Sequence, residues 1–268
     1  MGPTGLSFKN PPLKEVSFSL QFQAVPGFHT GLVGVAWSFF RRFYPIVEER
    51  DELGHELEVF GVMNNNRAPQ FKLMNRPACP RLLCLTENKA FAIQIQKDRF
   101  AFNWIHQEGE EYPRFEKLKA LFEEEVSRFL TFAKENNLGE IKIDQLELTY
   151  VNWIPKEERY LCDIIHDIPG EERHPSNIEF EQLAFNLTHV IKDESGKKIG
   201  RLYTNLNYPN EYKGESKNIL LRYTARVHPK RENAIEVLSD FTLLRNTINS
   251  SFEAMTKSDM HTEWKREQ

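Results

Sequence analysis

Between residues 81 and 105 the chain alternates apolar and polar side chains in Arg81 to Thr86, Lys89 to Gln96 and Arg99 to Ile105, broken by the short turns Glu87-Asn88 and Lys97-Asp98. Period-two alternation interrupted by two-residue turns predicts an antiparallel meander. Phe91, Ile93, Ile95, Phe100, Phe102 and Trp104 fall on the face that packs, while Gln94, Gln96 and Asn103 fall on the face expected to meet water.

The same period sets Val16, Phe18, Leu20 and Phe22 between Glu15, Ser17, Ser19, Gln21 and Gln23, a half-buried first strand. Pro26-Gly27 ends it. Leu32, Val35, Ala36, Phe39, Phe40, Phe43 and Val47 then recur at helical spacing and predict a helix of roughly four to five turns, weakened by Gly31, Gly34 and Pro45. His55 to Phe60 and Gln70 to Met74 read as short strands around Asn64-Asn65-Asn66. After Pro113, the stripe Phe115, Leu118, Phe122, Val126, Phe129 and Ala133 predicts a second helix that stops at Asn136-Asn137 and Gly139. Ile141 to Ile154 is apolar on both parities, as a mid-sheet strand covered on both faces requires. Ile178 to Ile191, Gly200 to Tyr208 and Ile219 to Val227 predict three long strands. A helix from Ala234 follows, with Asn233 and Glu236 spaced as a capping box and Val237, Leu238, Phe241, Leu244, Ile248, Phe252 and Met255 on one face.

Together these elements specify an α+β protein: a large antiparallel sheet, or sheets, with three main helices packed on one side and two structurally related halves. The first half, 1–155, carries the meander and two helices; 156–176 is a charged connection; 177–268 carries three strands and the C-terminal helix. The halves are expected to join edge to edge in one curved sheet, the rival being two domains flexing about the connection.

Composition narrows the function classes. A chain of 268 residues buries enough surface to fold without disulfides or metal. Lys plus Arg number 35 against 39 Asp plus Glu, so the net charge of −4 is too small to steer an acidic polymer over the whole surface. A nucleic-acid partner would need a local basic patch. Cys79, Cys84 and Cys162, an odd number without Cys-x-x-Cys spacing, fit a reducing cytosol. Neither a signal peptide nor a run of about 18 apolar residues is present, so the expectation is a cytoplasmic protein without a membrane partner.

The two ends of the chain carry Phe8-x-Asn10-Pro11-Pro12-Leu13-x-Glu15-Val16 and Phe252 followed by Asp259-Met260-His261-x-x-Trp264. In these, and in Phe102-x-Trp104, Tyr112 and Tyr150-x-Asn152, the chain resembles a sporadically distributed, uncharacterised family of bacterial proteins of about 260 residues. The resemblance spans nearly the whole chain. It implies a stand-alone bacterial protein with no established activity, from a family whose patchy distribution is typical of mobile or defence-associated genes.

The densest candidate chemistry lies on the late strands. Arg201, Tyr203, Asn205 and Asn207 share one parity, Arg222, Thr224, Arg226 and His228 share another, and Asn186 and Thr188 fall nearby in pattern. Guanidinium forks and amides on one sheet face suit a carboxylate, a phosphate or an acidic protein surface. The plainer alternative is a solvated face with arginine stems lying along it. His166, Asp167, Asp163, Glu171, Glu172 and His174 have metal-ligand chemistry, but Pro169-Gly170 breaks the spacing a catalytic helix needs. His189 is a lone strand histidine, and neither Ser176 nor Cys162 has a nucleophile's sequence context. Trp37, Arg41 and Arg42 offer a basic, aromatic helix edge, countered at once by Glu48, Glu49, Asp51 and Glu52. Trp264 is expected to dock on the core or, failing that, to serve as an interface anchor.

The sequence therefore favours a non-catalytic binding or regulatory protein that uses its arginine-bearing sheet face to hold a protein partner or an anionic ligand, with no cofactor. A metal-dependent nuclease or phosphohydrolase built around His166, Asp167, Glu171 and His174 is the alternative. A small-ligand carrier with a cavity between sheet and helices is the second.

Overall fold

The computed structural model describes residues 6–61, 79–155, 161–166, 181–210, 218–231 and 233–267. Among them, nine strands form one antiparallel sheet: β1 (Leu13–Phe22), β2 (Ile46–Arg50), β3 (Arg81–Leu85), β4 (Phe91–Gln96), β5 (Arg99–Ile105), β6 (Ile143–Pro155), β7 (Leu183–Lys192), β8 (Lys198–Asn210) and β9 (Asn218–Val227). Their order is β2-β3-β4-β5-β1-β6-β9-β8-β7. The helices are α1 (Thr30–Ser38), α2 (Phe115–Glu135), the one-turn α3 (Leu161–Ile164), α4 (Phe241–Met255) and α5 (Ser258–Glu263). The α+β class and the large antiparallel sheet are those the alternation predicts. The early and late strands meet at β6 and β9, which pair from Leu146↔Val227 to Pro155↔Asn218.

Strand parity decides which face the helices cover. Val16, Phe18, Leu20 and Phe22 of β1 lie over Phe100, Phe102 and Trp104 of β5 and Leu146, Leu148 and Tyr150 of β6, all of them buried. The buried stripe of α2 settles on them. Phe18 is the hub: its ring lies 5.2 Å from Phe122, 5.7 Å from Phe115 and 5.3 Å from Phe241 of α4. Phe100 stacks on Phe129 at 4.8 Å. Offset aromatic pairs of this kind add about 0.5–1.5 kcal/mol each beyond the area they bury.

Three boundaries differ from expectation. The first helix ends at Ser38, and Ile46 and Val47 belong to β2, where they pair with Leu85 and Cys84. Pro45 disfavours helical backbone at the residue before it, and the β-branched pair that follows suits a strand. Phe43, counted in the helical stripe, is 47% exposed. Before α4 the chain makes a 3₁₀ turn, Glu236–Asp240, in which Val237 and Leu238 are buried as the stripe predicts. Asn233 Oδ1 accepts from the backbone N–H groups of Ile235 (2.8 Å) and Glu236 (3.3 Å), the capping half of the expected box. His55 to Phe60 forms no strand but runs extended across the open face of the sheet. Gln70 to Met74 lies outside the described residues.

The tail folds back. Phe8 bridges to Arg266, and Trp264, 5% exposed, packs against Phe8 at 5.7 Å and Phe252 at 5.3 Å. As an interface anchor Trp264 is corrected: its ring is buried in the chain's own core, leaving little surface for a partner. No helix among the described residues is long and apolar enough to cross a membrane.

Truncating the hub should cost the most. Phe18→Ala is expected to lower unfolding free energy by about 3–5 kcal/mol, whereas Ile235→Ala, at an exposed position, should stay within about 0.5 kcal/mol. Urea denaturation followed by circular dichroism measures both.

Candidate functional site

The register assembles the predicted residues on the face opposite the helices. Arg201 lies across from Arg226, Tyr203 from Thr224 and Asn205 from Arg222, while Asn186 of β7 lies across from Asn205. The two strands approach closely here because position 200 is glycine: a Cβ there would stand 2.0 Å from the Arg226 carbonyl oxygen.

Much of this face is occupied by the chain itself. Leu53 to Phe60 crosses it, held first through its backbone by side chains of the sheet. Gln96 accepts from the Leu53 N–H at 3.0 Å and donates to its carbonyl at 2.8 Å. Arg99 donates to the Gly54 carbonyl at 3.2 Å, and Gln21 accepts from the Glu56 N–H at 3.3 Å. Gln145 donates to the Glu56 carbonyl at 2.7 Å and accepts from the Glu58 N–H at 2.8 Å. At the far end Arg201 donates to the Val59 carbonyl at 3.0 Å, and His228 Nε2 lies 2.6 Å from the Glu58 carbonyl.

The carboxylates complete the attachment. Glu58, 4% exposed, takes a hydrogen bond from the Tyr203 hydroxyl at 2.7 Å and an ion pair from the Arg201 guanidinium, with Arg226 at 3.8 Å. Arg226 reaches Glu56 at 2.8 Å and Glu147 at 2.5 Å, and Arg99 reaches Glu147 at 3.3 Å. Three arginines therefore face three glutamates, and the two buried ones, Glu58 and Glu147, are the ones that require such partners. The Glu58 hydrogen bond raises the Arg201 guanidinium above its ordinary value. Burial pulls Arg226 down, but Glu147 and Glu56 outweigh it and leave the group raised. Tyr203 is pushed up to about 12, by burial first and by its bond to Glu58 second.

Beside this segment Asn186 and Arg222 are exposed and Asn205 is half-buried. Arg222 makes no ion pair among the described residues; next to it the Asn205 amide donates to Asn186 Oδ1 at 2.5 Å. Glu15, from the neighbouring part of the sheet, accepts from Asn103 at 2.6 Å. Burial raises the Glu15 carboxyl, and the Asn103 bond and the Arg222 charge hold back part of that rise.

The predicted arginines, tyrosine and asparagines thus share one face, where Arg201, Tyr203 and Arg226 are engaged internally and Arg222, Asn205 and Asn186 are not covered by that segment. Gln96 and Asn103, expected in water, are buried at 2% and 4% exposure and are corrected on that ground. The residues missed were Gln21, Gln145, Glu147 and the segment they hold. Their signal was a run of long amides and acids at the polar parity of inner strands, where solvent exposure is hard to maintain.

Other candidates lie elsewhere. Asp167, Glu171, Glu172, His174 and Ser176 fall outside the described residues, and among those described no three His, Cys, Asp or Glu side chains form a metal-sized group. His189 is exposed on the parity of β7 opposite to Asn186. The Trp37 indole N–H is taken up by the Tyr44 carbonyl at 3.1 Å. No protein-family model matches the chain, and no curated protein matches its sequence.

Two outcomes test this description. Glu58→Ala leaves Arg201 without its carboxylate and Tyr203 without its acceptor and should cost about 3–5 kcal/mol, with loss of hydrogen-exchange protection at the Leu53, Glu56 and Glu58 amides. Glu15 has a folded-state pKa above its unfolded one, so its contribution is present below the unfolded value and lost as pH rises through the folded value. Glu15→Gln should therefore stabilise the protein at pH 7 and leave it nearly unchanged near pH 4, as read by thermal melts at the two pH values.

Proposed function

We propose that the chain is a non-catalytic binding protein whose polar sheet face recognises an extended acidic segment of a partner protein. One observation carries the reading: the same face already holds such a segment, its own Leu53 to Phe60, with amides on the backbone and guanidinium groups on Glu56 and Glu58. A surface that satisfies both backbone and carboxylates of one extended chain has the chemistry to take another alongside it. Arg222, Asn205 and Asn186 continue that chemistry next to the intramolecular segment, and Arg222 is the guanidinium there without an ion pair among the described residues.

The test uses a labelled peptide copying residues 52–60, which supplies Glu52, Glu56 and Glu58 in extended form, and a second peptide with these three changed to Gln. Fluorescence anisotropy should show saturable binding of the acidic peptide only. Arg222→Glu should weaken it at least tenfold, about 1.4 kcal/mol, with the circular dichroism spectrum unchanged. Equal binding of the two peptides, or an unaffected Arg222→Glu variant, would reject the proposal.

A further inference from the structure

On the helix side of the sheet, away from the acidic-segment face, the chain encloses a cavity of about 480 Å³. It opens where the segment before β1, the first turn of α2, the middle of α4 and the C-terminal tail converge. Its size is that of pockets for small metabolites.

The lining divides into an apolar body and a polar end. Phe8, Leu13, Ile248 and Phe252 supply hydrocarbon walls, and Arg114, Arg245, Tyr112 and Tyr150 supply hydrogen-bonding groups. Tyr112 and Tyr150 stand together at this polar end of the lining. A phenol O–H can donate as well as accept, so the two side chains bring donor capacity for an anion to this end. Arg245 is positioned the same way. Its guanidinium lies on the Phe115 ring at 5.0 Å, only 22% exposed, and its carboxylate partner is Glu116 at a loose 3.6 Å. Glu116 is 74% exposed, so it can turn to water while another carboxylate takes its place.

The cavity wall is held by a strained residue. Arg114, at the N-terminus of α2, has φ 77° and ψ 150°, backbone that non-glycine residues rarely adopt. Its guanidinium donates to the Phe8 carbonyl at 2.7 Å and Ser7 Oγ at 3.1 Å while pairing with Glu267 at 3.2 Å. It clips the N-terminal segment and the C-terminal tail together along one side of the cavity. Strain of this kind is characteristic of ligand clamps.

We infer that this cavity is a binding site for a small amphipathic monocarboxylic acid, its carboxylate on Arg245 and the tyrosine pair, its apolar body against Phe8, Leu13, Ile248 and Phe252. Charge selects one carboxylate over a dianion. Arg114 and Arg245 are already balanced by Glu267 and Glu116, so a monoanion that displaces Glu116 leaves the site neutral, whereas a phosphate dianion adds an uncompensated charge.

Isothermal titration with octanoate and 4-phenylbutyrate, each beside its uncharged amide, tests the assignment. The acids should bind saturably and at least tenfold more tightly than the amides. Arg245→Met, which removes the guanidinium but keeps an unbranched apolar side chain, should abolish that preference while retaining amide-level binding. Asn249→Phe, at a half-buried lining position, should fill the cavity and remove binding of both with the circular dichroism spectrum unchanged. Arg222→Glu, on the other face, should leave acid binding intact, so failure here and failure of the acidic-segment reading are separable. Absence of saturable acid binding at millimolar concentration, equal affinity of acid and amide, or binding that survives Asn249→Phe would overturn the proposal.

Discussion

A carboxylate removed from water must be met by positive charge and hydrogen-bond donors, and the arrangement of the polar sheet face follows from satisfying Glu58. Arg201, Tyr203 and Arg226 must stand at one parity of two adjacent strands to reach it, which ties β8 to β9 in a single register. Gly200 permits the close approach that register needs. Glu147 and Glu56 then balance the charge that Arg226 brings in. The segment from Leu53 to Phe60 lies where it does because its carboxylates and its backbone groups find partners together. Removing either set would leave the other insufficiently held.

The elements legible in the sequence were those whose packing is local in pattern. In the meander and in β1, alternate residues face one continuous aromatic layer, so period two alone assigns them. The stripe of α2 was readable for the same reason at period 3.6. His55 to Phe60 misled because it is extended like a strand but bonds to glutamine and arginine side chains, a pairing that leaves no periodic trace. Val47 was counted in a helix because a short apolar stripe is shared by a fraying helix and the strand after Pro45.

The candidate site was half legible. The parity of Arg201, Tyr203 and Asn205, and that of Arg222 and Arg226, is intrinsic to each strand, so each set could be read as sharing one face, the two sets meeting only through the pairing of β8 with β9. Which of them are already occupied could not, because Glu56 and Glu58 are separated from Arg226 by 170 and 168 residues and nothing local marks them as its partners. The cavity beside Arg245 depends on five separate stretches of chain meeting, which is beyond any single periodicity.

The segment across the polar face also acts as a girth. Its attachments begin on Gln96 of β4 and end on Arg201 of β8, a span of six neighbouring strands, or about 24 Å at usual strand spacing. Seven extended residues cover about 20 Å, and the long side chains at both ends supply the remainder. Strands of a wide sheet normally twist and loosen from their edges inward, each flank on its own. A cord laid across them and fastened on both sides of the centre links those flanks mechanically, so that the sheet would open as one cooperative body.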